Sequence, residues 1–133
     1  MERPILERIQ RLSRQAFQES IAEIYRGEGY LVERAARGSA ERGYDLILLR
    51  ETSVLVQCKH WLAVQVGVAP VRELARAMQK VGATGGVIVT TGTFTERARE
   101  LAIGMAIELV DGGALSRRFS GTRSHTGRQL NVA

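Results

Sequence analysis

The spacing of apolar residues predicts that the first quarter of the chain is helical. Apolar side chains recur at intervals of three and four from Ile5 to Tyr25, which is the period of one helix face. Gly27 and Gly29 follow where such a helix would end, and a break is expected near Ser13. The chain therefore opens with helical structure that buries one face.

Two further helices are expected in the second half of the chain. The first begins at Pro70, because proline is favoured in the first helical turn, and it ends at Gly82. The next is capped by Thr95 and extends through Ala102. The residues expected to face inward on the first of these helices are Val71, Leu74, Met78 and Val81.

Short apolar segments between the helices predict strands. Residues 45–49 and 54–59 flank a turn at 51–53 and indicate a hairpin, after a short strand at 30–33 and turn-forming residues at 38–43. Residues 85–91, GGVIVTT, are typical of a strand covered on both faces, and residues 107–110 form a last strand before a turn at 111–113. The expected order of elements is αβββαβαβ.

The composition is that of one ordinary soluble domain. The 133 residues are 44% apolar and 25% charged, and no apolar run is long enough to span a membrane. The charged N-terminus lacks the pattern of a signal peptide, so a cytoplasmic location is expected. Cys58 is the only cysteine, with His60 and His125 the only histidines, so an internal disulfide is excluded and a zinc site is disfavoured. Any bound metal would be a hard cation on oxygen ligands.

The net charge of +5 is concentrated near the C-terminus. Residues 116–133 contain four arginines and no acidic residue, which leaves 15 of the 19 basic residues against 14 acidic residues elsewhere. This segment is rich in Ser, Thr, Gly and Arg and has little apolar periodicity. We therefore predict a domain at 1–115 and a flexible basic tail at 116–133, which is either a solvated linker or an arm that contacts phosphates.

Three polar residues interrupt the predicted hairpin. Asp45 begins its first strand, while Gln57 and Lys59 share one face of the second, because side chains two apart in a strand point the same way. Pairing of the strands would bring a carboxylate, an amide and an ammonium together at the rim of the sheet. A salt bridge between Asp45 and Lys59 would explain this pattern without any function, and a functional site is the alternative.

The segments GYDLILL and LVQCKHW resemble the D…(E/Q)xK core of the PD-(D/E)XK nuclease superfamily, in the glutamine-bearing form of the Mrr-like restriction endonucleases. The segments FQESIAEIYRGEGYLVE, VRELARAM, GATGGVIVTTGTFTERARELA and IELVDGGAL resemble the same catalytic domain in order and spacing, so the similarity covers residues 17–115. It implies a restriction-endonuclease-like α/β fold for the domain at 1–115, with a mixed central sheet flanked by helices.

The resemblance also implies hydrolysis of DNA phosphodiester bonds with Mg²⁺ or Mn²⁺ as cofactor. Asp45 and Gln57 are the implied metal-binding residues, and Gln57 offers an amide oxygen where most of the superfamily has a carboxylate. Lys59 completes the implied catalytic set because its ammonium would orient the attacking water and offset charge on the phosphate.

One position departs from the family pattern. The helical motif usually begins with Phe-Glu, but here Phe17 is followed by Gln18. Gln18 flanks the apolar stripe and is expected to face the sheet, whereas Glu19 lies with Glu23 on the expected solvated face. Gln18 and Glu19 are both candidates for supporting the site. A site with one metal-binding carboxylate predicts weak metal affinity, a narrow cofactor preference or loss of cleavage.

Basic residues outside the hairpin are candidate DNA contacts. Three of them, spaced by four, form a basic stripe on the helix that begins at Pro70, and this stripe is either only solvated or in contact with phosphates. Two more lie in the predicted tail. The candidate DNA-binding residues are Arg72, Arg76, Lys80, Arg117 and Arg118.

These observations together favour a metal-dependent DNA endonuclease. One alternative is a DNA-binding module of the same fold that has lost catalysis, and another is an interaction domain whose polar residues form only a salt bridge. DNA is the expected partner, no membrane is expected to take part, and a homodimer is left open.

Overall fold

The computed structural model describes residues 2–35, 43–59 and 65–126, with side chains from residue 5 to residue 119 within these ranges. The predicted turn residues 38–42 and the last seven residues of the predicted tail lie outside the described residues. Five helices and seven strands make up the described part of the chain. None of these helices is both long enough and apolar enough to cross a membrane.

The helices begin and end at residues that can cap them. The Ser13 hydroxyl accepts a hydrogen bond from the Ala16 N–H, and the Thr95 hydroxyl accepts one from the Ala98 N–H. Gly82 ends a helix in the left-handed conformation, with φ of 74°. The helices are α1 Glu2–Gln10, α2 Arg14–Gly27, α3 Val68–Val81, α4 Glu96–Ile103 and α5 Gly112–Thr126.

Seven strands build one mixed sheet and one small parallel pair. They are β1 Leu31–Arg34, β2 Leu46–Leu49, β3 Ser53–Lys59, β4 Gln65–Val66, β5 Gly85–Thr90, β6 Thr93–Phe94 and β7 Ile107–Val110. The central sheet has the order β1-β2-β3-β5-β7, antiparallel from β1 to β3 and parallel from β3 to β7. The separate pair is β4 with β6. The start of β2, the end of β3 and the end of β5 therefore lie at the same edge of the sheet.

Helices cover both faces of the central sheet. On one face, residues of α1, α2 and α5 such as Ile9, Phe17 and Phe119 form a buried cluster with the sheet. On the other face, residues of α3 and α4 such as Leu74 and Ala98 form a second cluster. Strands β3 and β5 are buried from both sides for this reason, as the apolar run at 85–91 predicts.

The predicted mixed sheet flanked by helices is confirmed, although some boundaries differ. Helix α3 begins at Val68 rather than at Pro70, β1 lies one residue later than predicted, and the short strands β4 and β6 are not predicted. The expectation that Val81 faces inward is wrong, because its side chain is 49% exposed. Val81 is the last residue of α3, and the last buried residue of this helix is Met78, one turn earlier.

The C-terminal segment differs most from its prediction. The residues expected to form a turn at 111–113 instead begin α5, and Asp111 Oδ1 accepts a hydrogen bond from the Ala114 N–H at 3.0 Å. Leu115, Ser116 and Phe119 are all buried. The predicted flexible tail is therefore corrected for residues 116–126, because α5 continues to Thr126 and packs on the core through Phe119. Leu115 and Phe119 are four residues apart and share one helix face.

A substitution at the start of α5 tests how closely this helix packs on the sheet. The Gly112 N–H donates to the Gly92 carbonyl at 2.9 Å, and a Cβ at Gly112 would overlap the Thr91 carbonyl oxygen. We expect Gly112→Ala to lower the free energy of unfolding by about 1–3 kcal/mol in urea titrations, because backbone atoms cannot move aside cheaply. Gly104→Ala is the matched control, since a Cβ there has open space around it. Equal stability of the two variants would contradict this close packing.

Candidate active site

Two of the predicted site residues, Asp45 and Gln57, lie side by side where β2 begins and β3 ends. The Asp45 N–H donates to the Val56 carbonyl at 2.7 Å, and the Asp45 carbonyl accepts from the Ala35 N–H at 2.9 Å. Asp45 thus extends the ladder one step beyond the Leu46–Val56 pair, which places it beside Gln57. Hydrogen bonds to both neighbouring strands hold its main chain, so the carboxylate projects from a fixed backbone.

The Asp45 carboxylate is buried and accepts two hydrogen bonds. Oδ2 accepts from the Cys58 N–H at 2.7 Å, and Oδ1 accepts from Gln18 Nε2 at 3.2 Å. Asp45 is 7% exposed and Gln57 is 3% exposed, so the expectation that these polar groups lie at an open rim is corrected. Helix α2 contacts Asp45 through Gln18, and the Glu73 carbonyl of α3 lies near Gly43, whose own carbonyl accepts from the Gln57 amide.

The environment of Asp45 shifts its proton affinity. Burial raises the pKa of this carboxyl above its ordinary value because the charged form loses hydration. The hydrogen bond from the Cys58 N–H and the positive charges of Arg14 and Lys59 lower the pKa and offset part of this effect. A carboxylate kept in a poorly hydrated position, with cations nearby, is typical of a functional site.

Gln57 presents a buried oxygen that has no hydrogen-bond partner in the described part of the chain. Its Nε2 donates to the Gly43 carbonyl at 2.8 Å, and because a carbonyl only accepts, this bond fixes which end of the amide is nitrogen. The other end, Oε1, is the buried acceptor without a donor. Gly43 adopts a positive φ of 85° and lies near the Glu73 carbonyl of α3, so any side chain there would be strained.

Lys59 is the last residue of β3 and is partly exposed. Its main chain is held by the neighbouring strand, because the Thr90 hydroxyl donates to the Lys59 carbonyl at 3.0 Å. The same hydroxyl accepts from the Gly92 N–H at 3.1 Å. Thr90 therefore links the ends of β3 and β5 and fixes the point from which the lysine side chain extends.

The simple salt bridge considered for the hairpin is not formed. Asp45 and Lys59 are both described, and no ion pair within 4.0 Å joins them. The Lys59 charge is still close enough to lower the pKa of Asp45. The two charges therefore interact without a direct ion pair.

The departure at Gln18 places an amide against the buried carboxylate. Gln18 faces the site as expected, and its amide nitrogen contacts Asp45. Glu19 points away as expected, and its carboxylate pairs with Arg26 at 2.8 Å and with Arg34 at 3.1 Å. The hydrogen bond from Arg26 is the main reason that the pKa of Glu19 is lowered. The structure thus brings Gln18, and not Glu19, to Asp45.

The predicted basic stripe lies on the exposed side of α3. Arg72, Arg76 and Lys80 are all exposed. The buried face of the same helix, which includes Leu74 and Ala77, packs on the sheet. The Glu73 carbonyl of α3 lies near Gly43, whose carbonyl accepts from the Gln57 amide, so the stripe belongs to a helix beside the site.

The two arginines of α5 have different environments. Arg117 is exposed, whereas Arg118 is partly buried and lies 3.5 Å from Glu108 and 3.6 Å from Glu28. The Arg118 guanidinium also lies over the Tyr25 ring at 5.5 Å. These contacts occur near the end of α2 and the start of β7, so Arg118 is not brought together with Asp45. Its contacts tie α5 to two other elements.

Two arginines near the site, Arg14 and Arg34, are not among the site residues predicted from the sequence. The charge of Arg14, at the start of α2, lowers the pKa of Asp45. Arg34, at the end of β1, contacts the Gln18 amide. The pairing of β1 with β2 places Arg34 opposite Leu46, next to Asp45. An arginine that ends a strand just before the predicted hairpin is the signal that could have indicated this contact.

The oxygen atoms of this site are suited to binding a hard divalent cation with modest affinity. Within the described ranges, no three His, Cys, Asp or Glu side chains form a group that could hold a metal. The suitable donors are the Asp45 carboxylate and Gln57 Oε1, and the latter is a buried oxygen that a cation would satisfy. One charged and one neutral donor attract a cation less than two carboxylates do, so open positions would be filled by water or phosphate.

One protein family has a model that matches most of the chain. Residues 9–119 match the model of the Mrr_cat family, which is described as restriction endonuclease. This match includes both strands of the hairpin, helices α2 to α4 and the first half of α5. We found no curated protein whose sequence matches that of this chain.

Solved structures share the fold at low sequence identity. The DNA modification-dependent restriction endonuclease AspBHI has a TM-score of 0.66 and 20% identity over 98% of this chain and 37% of its own. The MspJI restriction endonuclease in complex with a 27-mer oligonucleotide has a TM-score of 0.55 and 23% identity over 88% and 28%. A protein of unknown function has a TM-score of 0.60 and 20% identity over 72% and 57%. The chain thus spans between about a quarter and just over half of these structures.

Proposed function

Because the chain belongs to the Mrr_cat family of restriction endonucleases, we propose that it is a metal-dependent DNA endonuclease whose site is formed by Asp45, Gln57 and Lys59. The observation that carries this proposal is a buried carboxylate beside a buried amide oxygen that has no donor among the described residues, with an ammonium two residues after that amide on β3. Such groups are costly to bury and are retained where they bind a ligand or act in chemistry.

The proposed reaction is in-line attack of water on the phosphorus, which breaks the bond to the leaving oxygen. A bound Mg²⁺ or Mn²⁺ would neutralise phosphate charge and acidify the attacking water. Asp45 and Gln57 Oε1 would hold this cation, and the hydrogen bonds that fix both side chains limit their movement. Lys59 would orient the water and stabilise charge that develops on the phosphate oxygens.

Nicking of supercoiled plasmid tests the proposed activity. We expect the native protein to nick plasmid in Mg²⁺ or Mn²⁺ and to stop when a chelator is added. Glu51→Gln is the matched control for loss of a carboxylate, since Glu51 is exposed in the turn between β2 and β3, at the opposite end of the hairpin. Cleavage by native protein and Glu51→Gln, but not by Asp45→Asn, would support the site. Equal cleavage by all three would assign the activity to other residues.

A DNA-binding module without catalysis is the second candidate. It is favoured because Asp45 is the one carboxylate that the described residues bring to the site, and because Gln18 turns a nitrogen rather than an oxygen toward Asp45. This candidate predicts DNA binding that is unchanged by Asp45→Asn and no nicking at any concentration of either metal. DNA as the partner, a cytoplasmic location and the homodimer stay predictions for the complete protein.

Salt dependence of DNA binding tests the basic stripe on α3. We expect the double variant Arg72→Gln, Arg76→Gln to bind duplex DNA more weakly. The slope of log affinity against log salt should fall by about 0.9 for each side chain that contacts phosphate, because fewer counterions are released. The control is Arg8→Gln, Arg97→Gln, which removes the same charge from exposed positions on α1 and α4. If both pairs change the slope equally, binding responds to net charge and the stripe is not a specific contact.

A further inference from the structure

Arg34, Gln18 and Asp45 form a chain of contacts from β1 through α2 to the buried carboxylate. From this geometry we infer that Arg34 is a positioning residue: it holds the Gln18 amide with its nitrogen toward Asp45 and so fixes the carboxylate for the cation. The inference rests on the proposed function, because it assumes that Asp45 binds the metal. It assigns Gln18 as a donor to Asp45 and not as a metal ligand.

The orientation of the Gln18 amide follows from the partners at its two ends. Arg34 Nη1 lies 3.5 Å from Gln18 Oε1, and Gln18 Nε2 lies 3.2 Å from Asp45 Oδ1. A guanidinium only donates and an ionised carboxylate only accepts. Rotation of the amide by half a turn would place its NH₂ group against the guanidinium and its oxygen against the carboxylate. Both ends would then lose their hydrogen bonds.

Arg34 is itself held by more than one contact. Its Nη2 donates to the Gln15 carbonyl at 3.2 Å and to Glu19 Oε1 at 3.1 Å, both on α2. The guanidinium therefore bridges the end of β1 and the first turns of α2. A planar group with several fixed donors can keep a direction that a single flexible ammonium cannot keep.

The two ends of the Asp45 carboxylate are consequently fixed by different elements. The Cys58 N–H of β3 donates to Oδ2, and the Gln18 amide of α2 donates to Oδ1. Each carboxylate oxygen then keeps one lone pair that a cation could bind. Partners that orient a metal ligand commonly change metal affinity when they are removed.

Nuclear magnetic resonance of the Gln18 side chain tests the held amide without any need for cleavage. The NH₂ signals, assigned by their absence in Gln18→Glu, should exchange slowly in the native protein. In Arg34→Gln we expect their exchange with water to become about fivefold faster, as for loss of one hydrogen bond. Arg26→Gln is the matched control, because Arg26 binds Glu19 and is 42% exposed against 43% for Arg34, but it has no hydrogen bond to Gln18.

Mn²⁺ affinity measured by calorimetry tests the effect on the site. We expect Arg34→Gln to weaken Mn²⁺ binding on the order of tenfold, as for other partners of metal ligands. Loss of a nearby positive charge alone would strengthen cation binding, so the two explanations predict opposite signs. In a Gln18→Leu background, Arg34→Gln should cause no further weakening. Arg34→Lys, which keeps the charge without the planar group, should weaken binding as Arg34→Gln does.

The outcomes separate this inference from the proposed function. The positioning role would be overturned if Arg34→Gln left Mn²⁺ binding unchanged or made it tighter. It would also be overturned if Arg34→Gln weakened Mn²⁺ binding equally in the native and the Gln18→Leu backgrounds. Exchange of the Gln18 NH₂ group that is unaffected by Arg34→Gln would overturn the held orientation. If the native protein binds no Mn²⁺, the proposed metal site fails, and the resonance measurement still decides whether Arg34 holds the amide.

Discussion

Asp45→Asn is expected to reduce plasmid nicking by about a thousandfold, because it removes the one negative charge proposed to hold the cation. Asparagine has nearly the same shape, and its amide oxygen can still accept from the Cys58 N–H. It is a sharper test than alanine at a position that is only 7% exposed, where truncation would also leave a cavity. Initial rates of nicking at several Mn²⁺ concentrations measure the effect.

The same variant, although inactive, should become more stable relative to the native protein as pH rises. The pKa of Asp45 is raised in the folded protein, so the unfolded chain gives up this proton at a lower pH than the native state does. The Asp45 contribution to stability is thus full below its unfolded pKa and is lost as pH rises through the folded pKa. We expect Asp45→Asn to gain stability relative to the native protein between acidic and neutral pH.

Urea unfolding of the native protein and of Asp45→Asn, once at acidic pH and once at neutral pH, measures this difference in stability. A variant that is inactive and yet relatively more stable at neutral pH would identify Asp45 as a group kept for function. The expectation fails if the stability difference is independent of pH, since Asp45 would then have an ordinary pKa. Nicking at the native rate by Asp45→Asn would remove Asp45 from the site.

Lys59→Met is expected to lower the nicking rate by about a hundredfold, because it removes the ammonium proposed to stabilise charge on the phosphate oxygens in the transition state. The fold should be retained, since Lys59 is partly exposed and the bond from the Thr90 hydroxyl is to its main chain. Methionine keeps the length of the side chain, so the variant changes charge with little change in packing. Single-turnover nicking at saturating DNA separates the chemical step from binding.

Lys59→Arg provides the matched control for charge. If charge alone is required, the arginine variant should retain most of the activity, whereas a need for a compact ammonium would leave it nearly as slow as Lys59→Met. An unchanged rate in Lys59→Met would show that another cation acts on the phosphate. Arg14, whose charge also reaches Asp45, would be the next residue to test.

The local elements of this protein could be predicted from its sequence. The 3.6-residue period, the break near Ser13, the cap at Thr95 and the helix end at Gly82 depend on neighbouring residues only, and all are found as expected. The hairpin of β2 and β3 follows in the same way from two apolar runs around a short polar turn. The pair of Leu115 and Phe119 carried the same periodic signal, but the surrounding polar residues obscured it.

The candidate site could be predicted as a set of residues but not as an arrangement. The alternation of β3 and the register of the hairpin place Asp45 beside Gln57, and the sequence determined this much. Both residues are buried only in the folded chain, and the Gln18 amide meets Arg34 only because β1 lies beside α2. Contacts between residues distant in the chain depend on how elements pack, so only the tertiary structure decided which atoms face the Asp45 carboxylate.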